Sequence, residues 1–270
     1  MENFSFGALP SPKDIRDYKI QATAVIPQKL PKTFKLKPTT IKSQGLKPTC
    51  VAHTLASLVE FHNLRETGQN CTFSTDFIYG CRFETEYLGD GMYMRDGLKI
   101  LQKYGDVLYT QLPGNSNVSV AMKKVKENYD TLAPLASPNR ITTYYKIQTL
   151  NELKYAIEND GPVPAVMRWF KDAKVKSDGV YKYNSKEIEV YHAVLIIGWT
   201  ENSLIAQNSW GSLWGDHGLF YVPFNKMEEV FRELYGVTDN IINVVQPNQI
   251  TIKLSPLINL ILELISKLFK

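Results

Sequence analysis

The stretch QGLKPTCVAHTLASLVEFH, residues 44–62, places a single cysteine at the front of a predicted amphipathic helix. Thr49 is suited to the N-cap position, and Gly68 is suited to ending the helix. Cys50 then falls in the first helical turn. It is either a small buried hydrophobe or a nucleophile, because the N-terminus of a helix lowers the pKa of a thiol. The residues that recur at helical spacing are Val51, Leu55, Leu58, Val59 and His62.

Length and charge exclude several classes of protein. A chain of 270 residues is long enough to bury a substantial core. The net charge of +4 comes from Lys and Arg scattered along the chain, so no nucleic-acid-binding surface and no polybasic membrane patch is predicted.

The three cysteines are an odd and small number, which makes a poor disulfide framework and favours a reducing compartment. Cys71 and Cys81 are accordingly interpreted as ordinary thiols. The N-terminus lacks the basic start and apolar run of a secretory signal. We therefore expect an intracellular protein or one packaged in a virus particle.

Secondary-structure signals change along the chain. Beyond the first helix, further helices are predicted near residues 74–84, 94–104 and 150–159, and β signals dominate after Pro162. This segregation indicates an α+β fold. The expected segments are an extended N-terminal arm (1–40), a helical part (41–135), a β-rich part (136–248) and a C-terminal tail (249–270).

The tail contains SPLINLILELISKLFK, residues 255–270, which is amphipathic as a helix. Spanning a bilayer takes about 20 mostly apolar residues, so this charged segment is too short to cross one. Two interpretations stay open. The helix packs on its own domain or on a partner protein, or it lies on a membrane surface.

Partners for a reactive thiol occur downstream. His192 lies in VYHAVLIIGW, a predicted strand, and Asn208 begins the turn N-S-W-G within QNSWGSLWGDHG. A histidine on an apolar strand is usually a satisfied core residue. Here an asparagine amide is available as a neutral group that orients an imidazole, so a Cys–His pair is predicted.

Together these residues resemble the papain-like cysteine peptidases. The resemblance runs from about residue 41 to 245 and depends on Gln44 before Cys50, on His192 followed by Ala-Val, and on Asn208-Ser-Trp-Gly with a second Trp-Gly at 214–215. It implies a two-lobed α+β fold. A helical left lobe would carry the catalytic helix, a right lobe would be an antiparallel β-barrel-like structure, and the active site would lie in the cleft between them.

The resemblance also implies roles. Cys50 would be the nucleophile of an endopeptidase, His192 the general base and then acid, and Asn208 the residue that orients His192. The side-chain amide of Gln44 would form the oxyanion hole with the backbone N–H of Cys50. Trp210 would shield the bond between Asn208 and His192 from water.

A substrate groove follows from the same resemblance. Gly91 and Met92 would pair with the backbone of an extended peptide on the acyl side of the scissile bond. Met94, Val166 and Val190 would line the main specificity pocket. Their apolar side chains predict an aliphatic or aromatic residue two positions before the scissile bond.

Several positions depart from the plant and lysosomal members. Residues 47–49 are Lys-Pro-Thr where those members have Cys-Gly-Ser, and Gly89 occupies the position of the partner cysteine. Val51 stands in place of a tryptophan, and Tyr191 in place of an acidic residue. No catalytic atom is lost, and the pattern is similar to short, disulfide-poor microbial or viral relatives.

Alternatives remain for the arm and for the activity. Residues from about 4 to 28 either plug the groove or brace the two halves of the fold. The same Cys–His pair could serve an acyl transferase or peptide ligase, and a catalytically silent binding homologue is the other alternative. Neither an organic cofactor nor a metal is expected, because Cys and His do not cluster at ligand spacing.

Overall fold

The structure is a computed structural model that describes residues 5–12, 14, 30–84, 89–114, 116–176 and 178–239. The predicted tail helix of residues 255–270 lies outside the described residues. Half of the N-terminal arm of residues 1–40, including residues 15–29, also lies outside them.

Helices are concentrated in the first half of the described chain. The α-helices are α1 (Cys50–Thr67), α2 (Thr75–Gly80), α3 (Met94–Lys103), α4 (Val118–Glu127), α5 (Tyr129–Ala136), α6 (Leu150–Asn159) and α7 (Met227–Val230). Short 3-10 turns are formed by Cys81–Glu84, Ser137–Asn139 and Phe224–Lys226.

Helix α1 is buried more completely than its sequence predicts. Every residue from Cys50 to Glu60 is buried, so the expected amphipathic helix is in fact a central one, packed on several sides. Thr49 occupies the N-cap position but makes no capping bond with its side chain. Gly68 ends the helix in the left-handed conformation with φ 71°, as predicted.

The other predicted helices are confirmed with small changes in their ends. The helix near 74–84 divides into α2 and a 3-10 turn, and Ser74 caps it by accepting a bond from the Phe77 N–H. A capping box at Thr149 and Glu152 begins α6. Helices α4 and α5 were not predicted. Each carries only a narrow buried stripe: Ala121 with Val125, and Leu132 with Ala136.

Strands dominate the second half. They are β1 (Ala8–Leu9), β2 (Phe34–Lys35), β3 (Met92–Tyr93), β4 (Thr143–Lys146), β5 (Val163–Phe170), β6 (Lys174–Val175), β7 (Tyr181–Lys182), β8 (Ile188–Trp199), β9 (Ser203–Gln207), β10 (Leu219–Pro223) and β11 (Phe231–Thr238). Within the described residues, seven strands form one antiparallel sheet in the order β10-β9-β8-β5-β11-β4, with β2 paired to β8.

Alternation along the sheet separates two hydrophobic clusters. Because successive side chains of a strand point to opposite faces, β5 and β8 contribute to both clusters. Val166 and Ala193 pack with α1, α2 and α3. Their neighbours Ala165 and Val194 pack instead with α6 and the outer strands. The pair β5 and β8 therefore joins the helical part to the β-rich part, and the N-terminal end of α1 lies against it.

Candidate active site

Cys50 is the first residue of α1 and is buried beside strand β8. Backbone groups of Ala193, Gly7 and Val51 hydrogen-bond its sulfur. Burial raises the pKa of the thiol to about 11, and these backbone bonds only partly oppose that effect. Since Ala193 directly follows His192, the fold brings together the two residues that the sequence pairs over a long separation.

His192 is also buried, and Asn208 fixes its ring. Nε2 of His192 lies 2.7 Å from Oδ1 of Asn208, and because a carbonyl oxygen only accepts, Nε2 carries the hydrogen. Among the described residues, Nδ1 has no hydrogen-bond partner. Burial lowers the pKa of His192 to about 4, and the Asn208 bond opposes this. The Trp210 ring lies over the imidazole, 4.6 Å between centroids at 30°.

Gln44 is held at both ends of its carboxamide. Its Oε1 accepts a 2.6 Å bond from the Ser209 hydroxyl, and its Nε2 donates to the Lys47 carbonyl at 2.8 Å. The remaining N–H of Nε2 donates to the Ser5 carbonyl oxygen at 3.0 Å. The Ser5 carbonyl oxygen therefore contacts the same Gln44 Nε2 group that the sequence analysis assigns to the oxyanion hole. The sequence analysis did not assign a role to Ser209.

The N-terminal segment, residues 5–12, lies across this centre. The Phe6 ring is 5.6 Å from that of His192, 5.5 Å from Trp210 and 5.7 Å from Trp169, measured between centroids. Gly7 approaches so closely that a Cβ on it would lie 2.1 Å from the Pro48 carbonyl oxygen. Only glycine fits there.

Beyond Gly7 the segment follows the predicted substrate edge. The N–H of Met92 donates to the Gly7 carbonyl at 2.8 Å, and β1 pairs in parallel with β3, with Ala8 opposite Met92. Gly91 adopts a φ of 94°, and a Cβ there would lie 2.7 Å from the Gly7 oxygen. In this structure the chain's own N-terminus occupies the edge that Gly91 and Met92 provide.

Two buried side chains anchor the same segment. The N–H of Ser11 donates to Oε1 of Glu233 at 2.5 Å, and the Tyr235 hydroxyl donates to Oε2 at 3.0 Å. Arg95 donates from Nη1 to the Pro12 carbonyl at 2.6 Å. Sequence reasoning missed Glu233. The sequence signal that was available is an acidic residue within FRELYGV, the mostly apolar stretch that begins β11. Buried acidic residues are normally paired, so this position indicates a partner for Glu233.

The predicted pocket residues do not share one cluster. Met94 and Val166 are both buried in the helical-side cluster, whereas Val190 is half-buried against the sheet-side cluster. Val166 faces Glu233 across β5 and β11 in the strand register. A carboxylate therefore borders the apolar surface that the sequence predicts.

Of the other histidines, His53 lies behind the site. It lines a small internal cavity together with Asn208, and its Nδ1 is 2.9 Å from the Thr49 carbonyl. Burial lowers the pKa of His53 to about 4. His62 is buried elsewhere along α1, and neither of its ring nitrogens has a hydrogen-bond partner in the part of the chain that the structure describes.

Comparison with known proteins settles the family. A family model described as papain family cysteine protease matches residues 29–240. The chain belongs to this family. As a papain-like cysteine peptidase it has the two-lobed α+β fold of that family, and its substrates are proteins or peptides.

Relatives include a viral protein and animal cathepsins. An uncharacterized peptidase C1-like protein of Acanthamoeba polyphaga mimivirus is 28% identical over 91% of this chain and 91% of its own length. Cathepsin K of Mus musculus is 27% identical over 70% of this chain and 57% of its own length. Cathepsin B-like cysteine proteinase 1 of Haemonchus contortus is 29% identical over 43% of this chain, and the match covers only 35% of that protein.

Solved structures share the fold. Xylellain, a cysteine protease from Xylella fastidiosa, superposes with a TM-score of 0.74 at 22% identity, over 88% of this chain and 97% of its own. Procathepsin B S9 from Trypanosoma congolense superposes with a TM-score of 0.67 at 15% identity, over 87% of this chain and 86% of its own. Among the described residues, no helix is both long and apolar enough to cross a membrane.

Proposed function

We propose that this cysteine peptidase is an endopeptidase in which Cys50 and His192 form a thiolate–imidazolium pair once residues 5–12 leave the site. With that segment in place, burial raises the pKa of Cys50 and lowers that of His192, which favours the neutral thiol and imidazole. The observation that carries the proposal is the 2.7 Å bond from His192 Nε2–H to Asn208, because it leaves Nδ1 as the nitrogen available to the sulfur. An amide, unlike a carboxylate, brings no negative charge, so the imidazolium is left to pair with the thiolate.

The chemistry proceeds in two steps. The Cys50 sulfur attacks the carbonyl carbon of the scissile bond, while Gln44 Nε2–H and the Cys50 backbone N–H stabilise the oxyanion. His192 gives its proton to the leaving amine, and an acyl-enzyme remains. His192 then takes a proton from water, which attacks the thioester and releases the acid. The hydrogen bond from the Ser209 hydroxyl to Gln44 Oε1 keeps the Gln44 Nε2–H donor oriented in both steps.

Labelling tests the assignment. A thiol-directed epoxide or fluoromethyl ketone probe is expected to add one mass increment to the wild-type chain and none to Cys50→Ala. The matched controls Cys71→Ala and Cys81→Ala should still be labelled. Products formed with an added amine nucleophile would separate hydrolysis from acyl transfer. Labelling that persists in Cys50→Ala would refute the assignment.

The N-terminal segment acts as a built-in plug in this proposal. Substrate residues on the acyl side precede the scissile bond, so a substrate runs from Met92 past Cys50 towards Trp210. The segment runs the other way: Phe6 lies by Trp210, Gly7 at Cys50, and Ala8 at Met92. The carbonyl that Gln44 contacts therefore does not belong to a correctly directed substrate. This reversal explains how a peptide can fill the site without being cleaved.

Two variants and one deletion test the plug. Phe6→Ala removes three ring contacts, and Gly7→Val introduces a clash with Pro48. Both, like deletion of residues 1–28, are expected to speed alkylation of Cys50. Pro12→Ala is the matched control, since its side chain is exposed and Arg95 bonds only its backbone oxygen. Unchanged alkylation in all three altered chains would favour the alternative of a brace.

Met94, Val166 and Val190 supply the proposed preference for an apolar residue two positions before the scissile bond. Profiling of a peptide library with the chain lacking residues 1–28 tests it. Dominance of acidic or basic residues at that position would contradict the proposal. A location in the cell or in a virus particle also remains a proposal, supported by the mimivirus relative.

A further inference from the structure

A cavity of about 770 Å³ opens on the β-rich side, away from Cys50. That volume is within the range of about 300–1,000 Å³ typical of ligand sites. Four lysines from three stretches of chain line it, and among the lining residues that the structure describes the single carboxylate is that of Asp172. The four are Lys174, Lys176, Lys182 and Lys226.

The positive charge is not balanced within the cavity. Asp172 accepts hydrogen bonds from the backbone N–H groups of Asn184 and Ser185, which lower its pKa, so it stays ionised and offsets one of the four lysine charges. Lys182 pairs with Asp178 at 2.6 Å, and Lys226 with Glu229 at 3.1 Å. In the part of the chain that the structure describes, Lys174 and Lys176 form no salt bridge, although Lys176 is near enough to Asp178 to help lower the pKa of that carboxyl.

The strand register adds a second observation. Lys174 lies directly opposite Lys182 on the two-stranded ladder of β6 and β7. Like charges at directly opposed positions destabilise a strand pair. The hairpin instead buries Tyr181 and packs Val175 on its inner side, so the lysines project outward together. The pairing of Lys182 with Asp178 offsets part of this repulsion, and an anion bound beside Lys174 would offset the rest.

The cavity is connected to the catalytic centre by aromatic rings. Tyr181, which lines the cavity, lies 5.1 Å from Trp169 between centroids. Trp169 in turn lies 5.7 Å from Phe6 and 6.1 Å from His192. Phe6 occupies the side of Cys50 opposite to Met92, where the residues after a scissile bond would lie. In the direction proposed above, the residues after the scissile bond leave the cleft on the side where Phe6, Trp169 and Tyr181 follow one another.

We propose that this cavity is an exosite for an acidic stretch of a protein substrate, on the C-terminal side of the scissile bond. Lysine ammonium groups are compact point charges on flexible stems, and they suit carboxylates whose positions vary from one sequence to another. The site recognises charge and leaves the choice of cleaved bond to the cleft. The direction of the substrate rests on the proposed function; the anion site itself does not.

Binding to the full-length Cys50→Ala chain tests the site without any catalysis. The probe is a fluorescein-labelled peptide rich in Asp and Glu, and the comparison peptide has Asn and Gln at the same positions. The acidic peptide should bind more tightly, and its affinity should fall with added NaCl, because exposed charges are screened over about 8 Å at 0.15 M. Lys174→Gln with Lys176→Gln should weaken binding about fivefold, given the modest strength of exposed ion pairs.

The matched control is Lys123→Gln with Lys126→Gln on α4, which removes the same charge from another exposed surface. It should bind like the parent chain. Equal weakening by both double variants, or equal binding of the neutral peptide, would overturn the proposal. So would tight binding of inorganic pyrophosphate at these lysines with no binding of the acidic peptide, since that outcome assigns the cavity to phosphate ligands.

A cleavage arm then addresses the substrate. With the chain lacking residues 1–28, a substrate with acidic residues downstream of the scissile bond should have a higher kcat/KM than its amide counterpart, and the cavity double variant should abolish the difference. If the chain hydrolyses neither substrate, the proposed peptidase reaction is contradicted. The binding experiment still tests the anion site independently, because it does not require catalysis.

Discussion

His192 and His62 are both buried histidines with lowered pKa values, yet only one belongs to a site. Burial lowers the pKa of His192 to about 4 and that of His62 to about 3. His192 has an orienting amide, a neighbouring thiol and a cover made by residues 5–12. His62 lies beside Phe61 and has no hydrogen-bond partner within residues 5–239 as far as the structure describes them.

The comparison separates two kinds of burial. Phe6 and Gly7 cover His192 and Cys50 from one short segment, so removal of that segment would return water to both groups. His62 lies on α1, and its surroundings include Phe61 and Gly161, which belong to the fold and not to one short terminal segment. A lowered histidine pKa is therefore not evidence of function by itself. Whether a buried histidine is functional is decided by the groups that contact its ring and by which segment of the chain covers it.

The largest expected difference between the two histidines concerns activity. In the chain lacking residues 1–28, His192→Ala should lower kcat/KM by at least about 10³-fold, because the thiol loses the base that ionises it and the acid that serves the leaving group. His62→Phe should keep kcat/KM within about threefold of its parent, as a substitution remote from the reacting atoms. Peptide hydrolysis measures both. Comparable losses in the two variants would remove the distinction.

Asn208→Ala sharpens the comparison by making His192 resemble His62. The bond to Oδ1 favours the protonated ring, so its loss should lower the pKa of His192 further. We expect kcat to fall about 10- to 100-fold, in the range of general acid–base effects. The alkaline limb of the pH–rate profile should also move to lower pH. Rescue of both by Asn208→Gln, but not by Asn208→Ser, would be consistent with an orienting amide.

Much of this site could be predicted from the sequence, since Gln44, Cys50, His192 and Asn208 stand in motifs whose order is informative. The predicted helices 94–104 and 150–159 also had local signals, a closing glycine and a capping box. Helices α4 and α5 did not: their buried stripes are narrow, and Pro134 lies inside α5. Hydrophobic periodicity predicts a helix only where the helix's own residues carry a clear apolar pattern.

The remaining features depend on tertiary contacts. The periodicity of α1 predicted one apolar face, but the helix is surrounded, because small residues such as Ala52, Ala56 and Ser57 let neighbours approach its other side. No sequence pattern shows that Gly7 meets Pro48 or that Ser11 meets Glu233. The lysine cavity likewise required the register that sets Lys174 against Lys182.

Stability at acid pH tests the other histidine. The folded state holds His62 neutral with a pKa of about 3, whereas an unfolded chain has a histidine pKa near 6.5. The unfolded state therefore binds more protons, and this contribution to stability is complete above pH 6.5 and is lost as the pH falls. At pH 5 the loss is on the order of 2 kcal/mol for this group.

His62→Phe removes that loss. We expect its free energy of unfolding to fall less than that of the wild type between pH 7 and pH 5, as measured by urea denaturation. The raised pKa values of Glu60 and Asp106 act in the opposite direction, but both chains share them, so the difference isolates His62. Lys123→Gln serves as a surface control. Identical pH dependence in wild type and His62→Phe would show that His62 is not held neutral.

The smallest expected effect concerns how easily the cover of His192 opens. Glu233→Gln keeps an acceptor for the Ser11 N–H but removes its charge, which weakens the bond by about 1 kcal/mol. Alkylation of Cys50 in the full-length chain should therefore become about fivefold faster. The unfolding free energy of the chain lacking residues 1–28 should respond much less to the same substitution. If Glu233→Gln instead destabilised both chains equally, the Glu233 carboxylate would stabilise the fold through its bond to Tyr235 and would not hold residues 5–12 in place. The difference between the cover of His192 and that of His62 would then depend on Phe6 and Gly7 alone.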